Sequence, residues 1–474
     1  MEIPTNKIQR GFLGNTAKMI GVGFLMLILW LSSFFVSSLV SERMNRQQEV
    51  HQEIADKWGA PQLVAGPVLT IPYISTYWDA KDNVNRTRQE VIYLLPEKFN
   101  ANAKVTPQEK KRGIFSSTVY TAEIVVEADF NTALLDELAS RPANNTILWN
   151  QAHVSLSLAD TRGISEPAMF SWAGTDKAWK SGTLLFVGVP GEEGYYKDRY
   201  MPTPFYPPLD GVTYNYGQAI TGQGLHSDLS VAPNSQYHFG FKFNLQGSRV
   251  LEFVPVGKES NIAITSAWQS PSFVGSFLPA ESKLSKDGFR AKWQVSSLSR
   301  PYANVWEKDG VDTSTLKQSA LGVNLLTSVD FYTLVDRTTK YAILFIALTF
   351  LAFFLFEVIS KIRIHPMQYI LIGIALVLFY LLLLSFAENI GFMWAYILAT
   401  IMTVGLVWNY SRFVLKTGNR ANLIAAMLIA LYVYLYIILQ LEELALLFGS
   451  VLLFVVLAIV MRVTRKIEWY SQVE

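Results

Sequence analysis

The chain has 474 residues, 51% of them hydrophobic, and a mean hydropathy of +0.24, which is greasier than a soluble protein of this length. A formal charge of +2 is too small to point to a nucleic-acid partner or an acidic substrate through bulk electrostatics. With no cysteine, disulfides, thiolate nucleophiles, zinc-thiolate sites and iron-sulfur clusters are all excluded.

The apolar excess is confined to the region from residue 17 to 40 and to the chain after residue 341. A membrane-crossing helix needs roughly 20 mostly apolar residues. Stretches 19–40, 341–359, 368–386, 392–408, 423–440 and 444–461 meet that need. The predicted fold class is a membrane protein with six transmembrane α-helices, one N-terminal and five C-terminal. Between the first and second lies a large, mainly antiparallel-β domain. The corresponding segments are a 1–18 tail, helix 19–40, a β-rich domain 41–340, a helix bundle 341–461 and a 462–474 tail.

Basic residues set the expected orientation. Lys7, Arg10 and Lys18 precede the first span, Lys361 and Arg363 follow the second, Arg412, Lys416 and Arg420 separate the fourth and fifth, and Arg462, Arg465 and Lys466 follow the last. The alternate loops carry Glu388 in one and Glu442 and Glu443 in the other. All basic loops fall on one side if both termini are cytoplasmic and 41–340 lies outside; Arg43, Arg46, Arg337 and Lys340 on the outer flank weaken the bias slightly. The first segment reads as an uncleaved anchor. A cleaved signal peptide ending near Val36-Ser37-Ser38 is the alternative, but an apolar run of about 18 residues exceeds a typical signal core.

Residues 41–58, free of Pro and Gly, read as a helix leaving the membrane. Strands are expected at 119–130, 183–189, 238–245, 250–256, 262–268 and 289–296, in two packed sheets or two lobes, with little helix outside 131–140. A strand ending near Phe130 leads to 147–158 much as one ending near Leu245 leads to 262–268, a weak echo of internal duplication. The longest irregular stretch, 191–233, holds Tyr195, Tyr196, Tyr200, Phe205, Tyr206, Tyr214 and Tyr216 among Pro202, Pro204, Pro207 and Pro208. Such loops can bind partners, though more often they pack on their own sheet.

Chemistry is sparse. The five histidines, His51, His153, His226, His238 and His365, lack metal-ligand spacing, and there is no Walker A sequence and no GxSxG; Gly222-Gln223-Gly224 is a lone GxG. No catalytic, cofactor or metal residue is assigned, and the expectation is a protein that is not an enzyme and takes no cofactor. An enzymatic site would need a cluster such as Asp198, Asp210, His226 and Asp228 converging near the Tyr-rich loop. No Asp, Glu, Lys, Arg or His lies near the middle of a span and no Pro breaks one, which disfavours an ion-coupled transporter. Glu357 can pair with Lys361 at the inner end of its helix. Gly373, Ala375, Ala395, Ala399 and Gly405 are available for close helix contact. Glu388, Glu442 and Glu443 precede helices, where capping is the ordinary role of a carboxylate. The functional alternative is an acidic rim that pairs with Arg337 and Lys340 and couples the exported domain to the bundle.

These segments resemble the CreD family of bacterial inner-membrane proteins over most of the chain. The resemblance rests on Trp58-Gly59 with Pro61-Gln62 and Gly66-Pro67, and on Lys111-Arg112-Gly113-Ile114-Phe115 leading to Val119-Tyr120. It continues through 268–275, Phe277-Leu278-Pro279, and Gly288-Phe289 with Ala291 and Trp293. In the membrane part it includes Lys340-Tyr341-Ala342, 344–350, Glu357, His365-Pro366 with Gln368-Tyr369, and Phe379-Tyr380 running on to Glu388. Lys111 stands where the family pattern has Arg. The resemblance implies an inner-membrane protein switched on by the CreBC two-component system, whose level affects envelope integrity, colicin tolerance and, in some bacteria, β-lactam response. It implies no agreed biochemical activity. The expected partners are the lipid bilayer and an unidentified periplasmic or membrane protein or envelope component, with no nucleic acid. A transporter or lipid-handling protein with a cavity in the bundle is the alternative.

The Gly and Pro residues of 58–72 and 268–279 read as fixed turns of a β domain. His365-Pro366 reads as a short loop just before a helix.

Overall fold

A computed structural model describes residues 8–80, 83–135, 145–165, 169–183, 222–307, 313–325, 331–360, 364–415, 417–441 and 444–465. The chain divides into two compact units, one of Met1–Gln48 with Val329–Glu474 and one of Glu49–Ser328.

Helix α1 runs unbroken over Ile8–Trp58, so the apolar anchor and the polar helix expected after it are one element. The strands of the second unit are β1 (Gln62–Asp79), β2 (Val84–Leu94), β3 (Lys98–Arg112), β4 (Phe115–Asn131), β5 (Thr146–Ile147), β6 (Ala152–Leu158), β7 (Met169–Trp172), β8 (Thr175–Ala178) and β9 (Lys180–Thr183). They continue with β10 (Gly222–Leu229), β11 (Gln236–Ser248), β12 (Val250–Phe253), β13 (Glu259–Ser266), β14 (Ser272–Gly275), β15 (Glu281–Ser285), β16 (Gly288–Ser296), β17 (Val305–Glu307) and β18 (Leu321–Asn324). A short helix α2 (Thr313–Gln318) precedes β18.

One sheet has the order β14-β18-β12-β1-β6-β10-β9, with β2 and β5 also on β1 and β17 on β2. The other has the order β15-β16-β13-β3-β4-β11-β7-β8. Period-2 alternation builds the second sheet. Phe99, Ala101, Ala103 and Val105 of β3, Tyr120 through Phe130 at even positions of β4, and Phe239, Phe241, Phe243 and Leu245 of β11 turn inward. They join Leu69, Ile71, Val154, Leu156 and Leu158 of the first sheet in one core.

The sheets are mixed rather than uniformly antiparallel, because β1 pairs with β12 and β3 with β13 in parallel. The 58–72 region is not a set of turns. Gly66 and Pro67 lie inside β1, where the register against β6 shifts between Ala65 and Val68. Gly66 has φ +123°, and a Cβ there would stand 2.8 Å from the Ser155 carbonyl oxygen, so the bulge requires glycine. The 268–279 region likewise contains a strand, β14, at its centre. The two echoed segments fall in different sheets: β4 is followed by β5 and β6, both in the first sheet, whereas β11 is followed by β12 in the first sheet and then by β13 in its own. Of the segments expected at 131–140 and 183–189, the described part is a 3-10 turn at Thr132–Leu135 and Thr183 at the end of β9.

The first unit contains α1 as far as Gln48, with α3 (Phe331–Lys340), α4 (Ala342–Ser360), α5 (Pro366–Ile390), α6 (Phe392–Val414), α7 (Gly418–Gln440) and α8 (Ala445–Thr464). Length and composition fit four of these for crossing a membrane: Gly23–Trp58 of α1, α5, α6 and α7. The pair α3 and α4, bent by 43°, makes a fifth if it counts as one span, and Leu447–Val463 of α8 is a shorter apolar helix. Large apolar side chains such as Leu371, Ile374, Ile401, Leu406 and Phe454 are exposed on the helices, as a lipid-facing surface requires. Gly373 meets α1 closely, since a Cβ there would fall 2.1 Å from Leu29 Cδ1; Ala395 and Ala399 are fully buried, and Gly405 meets nothing.

Candidate functional site

The sequence-marked residues at the exit of α1 form a knot. Ala60 N–H donates to Asp160 Oδ2 at 3.0 Å, Arg162 donates from its backbone N–H and from Nε to Oδ1 at 3.0 and 2.9 Å, and its guanidinium also reaches Oδ2 at 2.8 Å. Gln62 Nε2 donates to the carbonyls of Asp160 and Gln246, each at 3.0 Å, and Gln62 Oε1 accepts from Asp160 N–H at 3.2 Å. Burial alone would raise the Asp160 carboxyl, but these donors and the Arg162 charge hold it below its ordinary value. Trp58 Nε1 donates to the Tyr120 carbonyl, and Lys110 Nζ lies 4.4 Å from the Trp58 ring centroid. Trp58, Gly59 and Gln62 therefore anchor the last turns of α1 to the β domain, which is a structural duty.

A second cluster lies on the face of the first sheet opposite the core. Cross-strand register places Thr70, His153 and Asp228 in one row, and Val68, Ser155, His226 and Lys180 in the next. Side chains two residues apart share a face, so the two rows form one polar surface. Thr70, His153, Ser155, Ser157 and His226 are all buried on it. His226 Nδ1 lies 2.9 Å from the Gly182 carbonyl oxygen, which can only accept, and Lys180 pairs with Asp228. That hydrogen bond with Lys180 pulls the Asp228 carboxyl below its usual range. Burial, helped by the neighbouring His226, pushes His153 down to about 4. His153 Nε2 and Thr70 Oγ1, neighbours in the β1–β6 ladder, have no hydrogen-bond partner among the described residues. Buried polar groups are nearly always paired, so an unmet nitrogen beside an unmet hydroxyl is a position where a ligand atom would be stabilised.

Sequence reasoning put His226 and Asp228 in a candidate cluster, named His153 only as an isolated histidine, and did not single out Lys180 or Thr70. Asp198 and Asp210 lie outside the described residues, as do Tyr195, Tyr196, Tyr200, Phe205, Tyr206, Tyr214 and Tyr216. Those aromatics belong to the stretch that connects β9 to β10, the strands that supply Lys180, His226 and Asp228 to the polar rows. No group of three His, Asp or Glu side chains that could hold a metal occurs among the described residues.

In the helix unit, Glu388 lies in the last turn of α5, two residues before its end, and not at the start of α6, whose N-cap is Gly391. Its Oε1 accepts from Tyr332 Oη at 3.0 Å and faces Arg43 Nε at 3.6 Å. Lys340 pairs with Asp336 at 2.7 Å, and Arg337 stands half-buried on the same helix. Glu442 and Glu443 lie outside the described residues. Glu357, whose expected partner Lys361 also lies outside them, accepts from Tyr369 Oη at 3.1 Å and from Ile364 N–H at 3.2 Å. His365 and Gln368 form a reciprocal cap at the start of α5, with Pro366 at its first position. The Glu357, His365-Pro366 and Gln368-Tyr369 motif thus ties the start of α5 to the end of α4.

The interior of this unit is less apolar than a search for charges suggests. The hydroxyls of Tyr380, Thr400, Thr403 and Tyr432 are buried with no hydrogen-bond partner among the described residues. Tyr396 Oη, by contrast, donates to the Tyr432 carbonyl at 2.7 Å.

The family described as Inner membrane protein CreD matches residues 15–470. Inner membrane protein CreD of Escherichia coli (strain K12) is 33% identical over 454 residues, covering 94% of this chain and 92% of that protein. A solved structure of a Legionella pneumophila protein, named for proposed nutrient binding, aligns with 52% of this chain and 82% of its own at 8% identity. Its TM-score of 0.18 leaves no common fold to argue from. The chain belongs to the CreD family of inner membrane proteins.

Proposed function

We propose that this inner-membrane protein supports envelope integrity and the response to envelope stress without catalysing a reaction, by binding an envelope component or membrane partner through its β domain. In this reading six spans anchor the chain, with α3 and α4 together forming the second. Both termini are cytoplasmic and residues 41–340 periplasmic, in keeping with the basic loops around Lys18, Arg412, Arg420 and Arg462.

The observation that carries the binding role is the buried polar surface of β1, β6, β9 and β10, where His153 Nε2 and Thr70 Oγ1 have no partner among the described residues. Residues of the CreD family that mark the α1 exit and the start of α5 are used up in structural hydrogen bonds. In the polar rows His226 and Asp228 are engaged with β9, but His153 Nε2 and Thr70 Oγ1 have no partner among the described residues. A photo-crosslinking residue at Lys180 or Asp228 in living cells should capture one identifiable partner, and His153→Leu should reduce that capture. The same probe at Leu298, which is 96% exposed on the turn after β16, should not capture it. Equal capture from all positions, or none, would overturn the reading.

A second reading, a transporter or lipid-handling protein with a cavity in the bundle, is favoured by one observation, the partnerless hydroxyls inside the helix unit.

A further inference from the structure

Inside a membrane helix a Ser or Thr hydroxyl ordinarily satisfies itself by donating to a carbonyl one turn back, and a Tyr hydroxyl by reaching a carbonyl of a neighbouring helix. This chain does so repeatedly: Thr349 Oγ1 donates to the Phe345 carbonyl at 2.7 Å, and Ser411 Oγ donates to that of Val407 at 2.6 Å. Tyr434 Oη donates to the Phe448 carbonyl at 2.6 Å. Thr400, Thr403, Tyr380 and Tyr432 do not follow the pattern, although Tyr380 and Tyr432 are 1% exposed and Thr403 is 2% exposed.

The exceptions share a depth. Thr403 is the central residue of α6 and Thr400 precedes it by three; Tyr380 lies two residues past the centre of α5, and Tyr432 three past the centre of α7. At about 1.5 Å of rise per residue, all four sit within roughly 5 Å of the middle of their helices. Tyr396, Thr400 and Thr403 follow the spacing of one α6 face. The Phe379 ring stands 5.1 Å from that of Tyr380, 5.5 Å from Tyr396 and 4.5 Å from Tyr432. Tyr396 and Tyr432 are joined by the hydrogen bond from the Tyr396 hydroxyl.

Leaving four hydroxyls unpaired in a hydrocarbon-like interior is costly, and the cost recurs on three adjacent helices at one level. We propose that Tyr380, Thr400, Thr403 and Tyr432 form a hydrated site at mid-bundle, in which water molecules bridge the hydroxyls between α5, α6 and α7 and exchange with one aqueous side. The ligand is water, bound by neutral donors and acceptors. With no fixed charge in the cluster, the site suits neutral polar molecules rather than ions. The inference is independent of what the β domain binds.

The cysteine-free chain provides the test. Thr403→Cys and, in a separate protein, Ile401→Cys are placed in the full chain in native membranes and treated with a small water-soluble thiosulfonate. Ile401 lies on the same helix two residues away but is 63% exposed on the lipid-facing side. Only a thiolate reacts, and a thiol in hydrocarbon stays protonated, so a hydrated Thr403→Cys should react on the order of tenfold faster or more. A rate no greater than that of Ile401→Cys overturns the proposal. Tyr380→Phe gives a second readout in the unlabelled chain. Removing a hydroxyl that water satisfies should lower the thermal midpoint, whereas removing one from a dry core should leave it unchanged or raise it, which would also overturn the proposal.

Discussion

At the scale of single residues, two buried titratable groups make the β domain sensitive to acid in two different pH windows. His153 is held neutral by burial, with a folded value of about 4 against an ordinary 6.5. The unfolded chain therefore takes up the proton first as pH falls. Stability is complete above pH 6.5 and falls progressively toward pH 4, by up to about 3 kcal/mol at about 1.4 kcal/mol per unit. Chemical unfolding of the wild type and of His153→Leu across that window should show this loss in the wild type alone, and parallel curves would refute it. Asp160 works at lower pH. Its carboxyl is depressed below 3.8, so its stabilisation is present above that value and is lost as the pH drops through the folded pKa. Asp160→Asn should cost about 2–3 kcal/mol at neutral pH, because charge-assisted hydrogen bonds from Arg162 and Ala60 weaken together. The gap between Asp160→Asn and wild type should close in strong acid, as followed by the thermal midpoint.

At the scale of elements, the contact of α1 with α5 turns on one missing methyl group. A side chain at Gly373 would collide with Leu29 Cδ1 and crowd Phe350 Cζ at 3.0 Å. Gly373→Val should destabilise the helix unit by about 1–3 kcal/mol through overpacking, and Leu29→Ala should restore much of the loss by vacating the space. Thermal unfolding in detergent of the single and double variants measures both, and additivity of the two changes would show that the contact is not formed. Gly373 was readable in advance because small residues mark helix contacts, whereas Gly405, equally small, faces open space. Strands were less legible than helices. β1 reads as turns because Gly66 and Pro67 interrupt it, and only pairing with β6 reveals a bulge. β2 and β3 carry VNRTRQ and QEKKR, polar runs that hide the alternation at their other ends. The polar rows were half legible. His226 and Asp228 are neighbours in sequence, but His153 joins them only through the ladder between β6 and β10, which no local pattern announces.

At the scale of the whole molecule, hydropathy made a membrane protein readable, because apolar runs of spanning length have few other uses, and strand patterning between the first two runs marked a large β domain. The mid-span hydroxyls escaped the same reading, since it looked for charges, and Tyr and Thr carry none at neutral pH. Orientation is the one global property that charge placement predicts and that a single experiment decides. Ser230 lies on the β domain just after β10, Asn389 at the last turn of α5, and Asn419 at the first turn of α7; all three are exposed. If the basic loops near Arg412 and Arg420 stay in the cytoplasm, Ser230→Cys and Asn389→Cys should react with a membrane-impermeant thiol reagent in cells whose outer membrane has been made permeable. Asn419→Cys should react only after the inner membrane is opened. The two ends of α6 are the decisive comparison, because a single helix separates Asn389 from Asn419. Labelling of both from one side would mean that α6 does not cross the bilayer, and the six-span arrangement would fall with it.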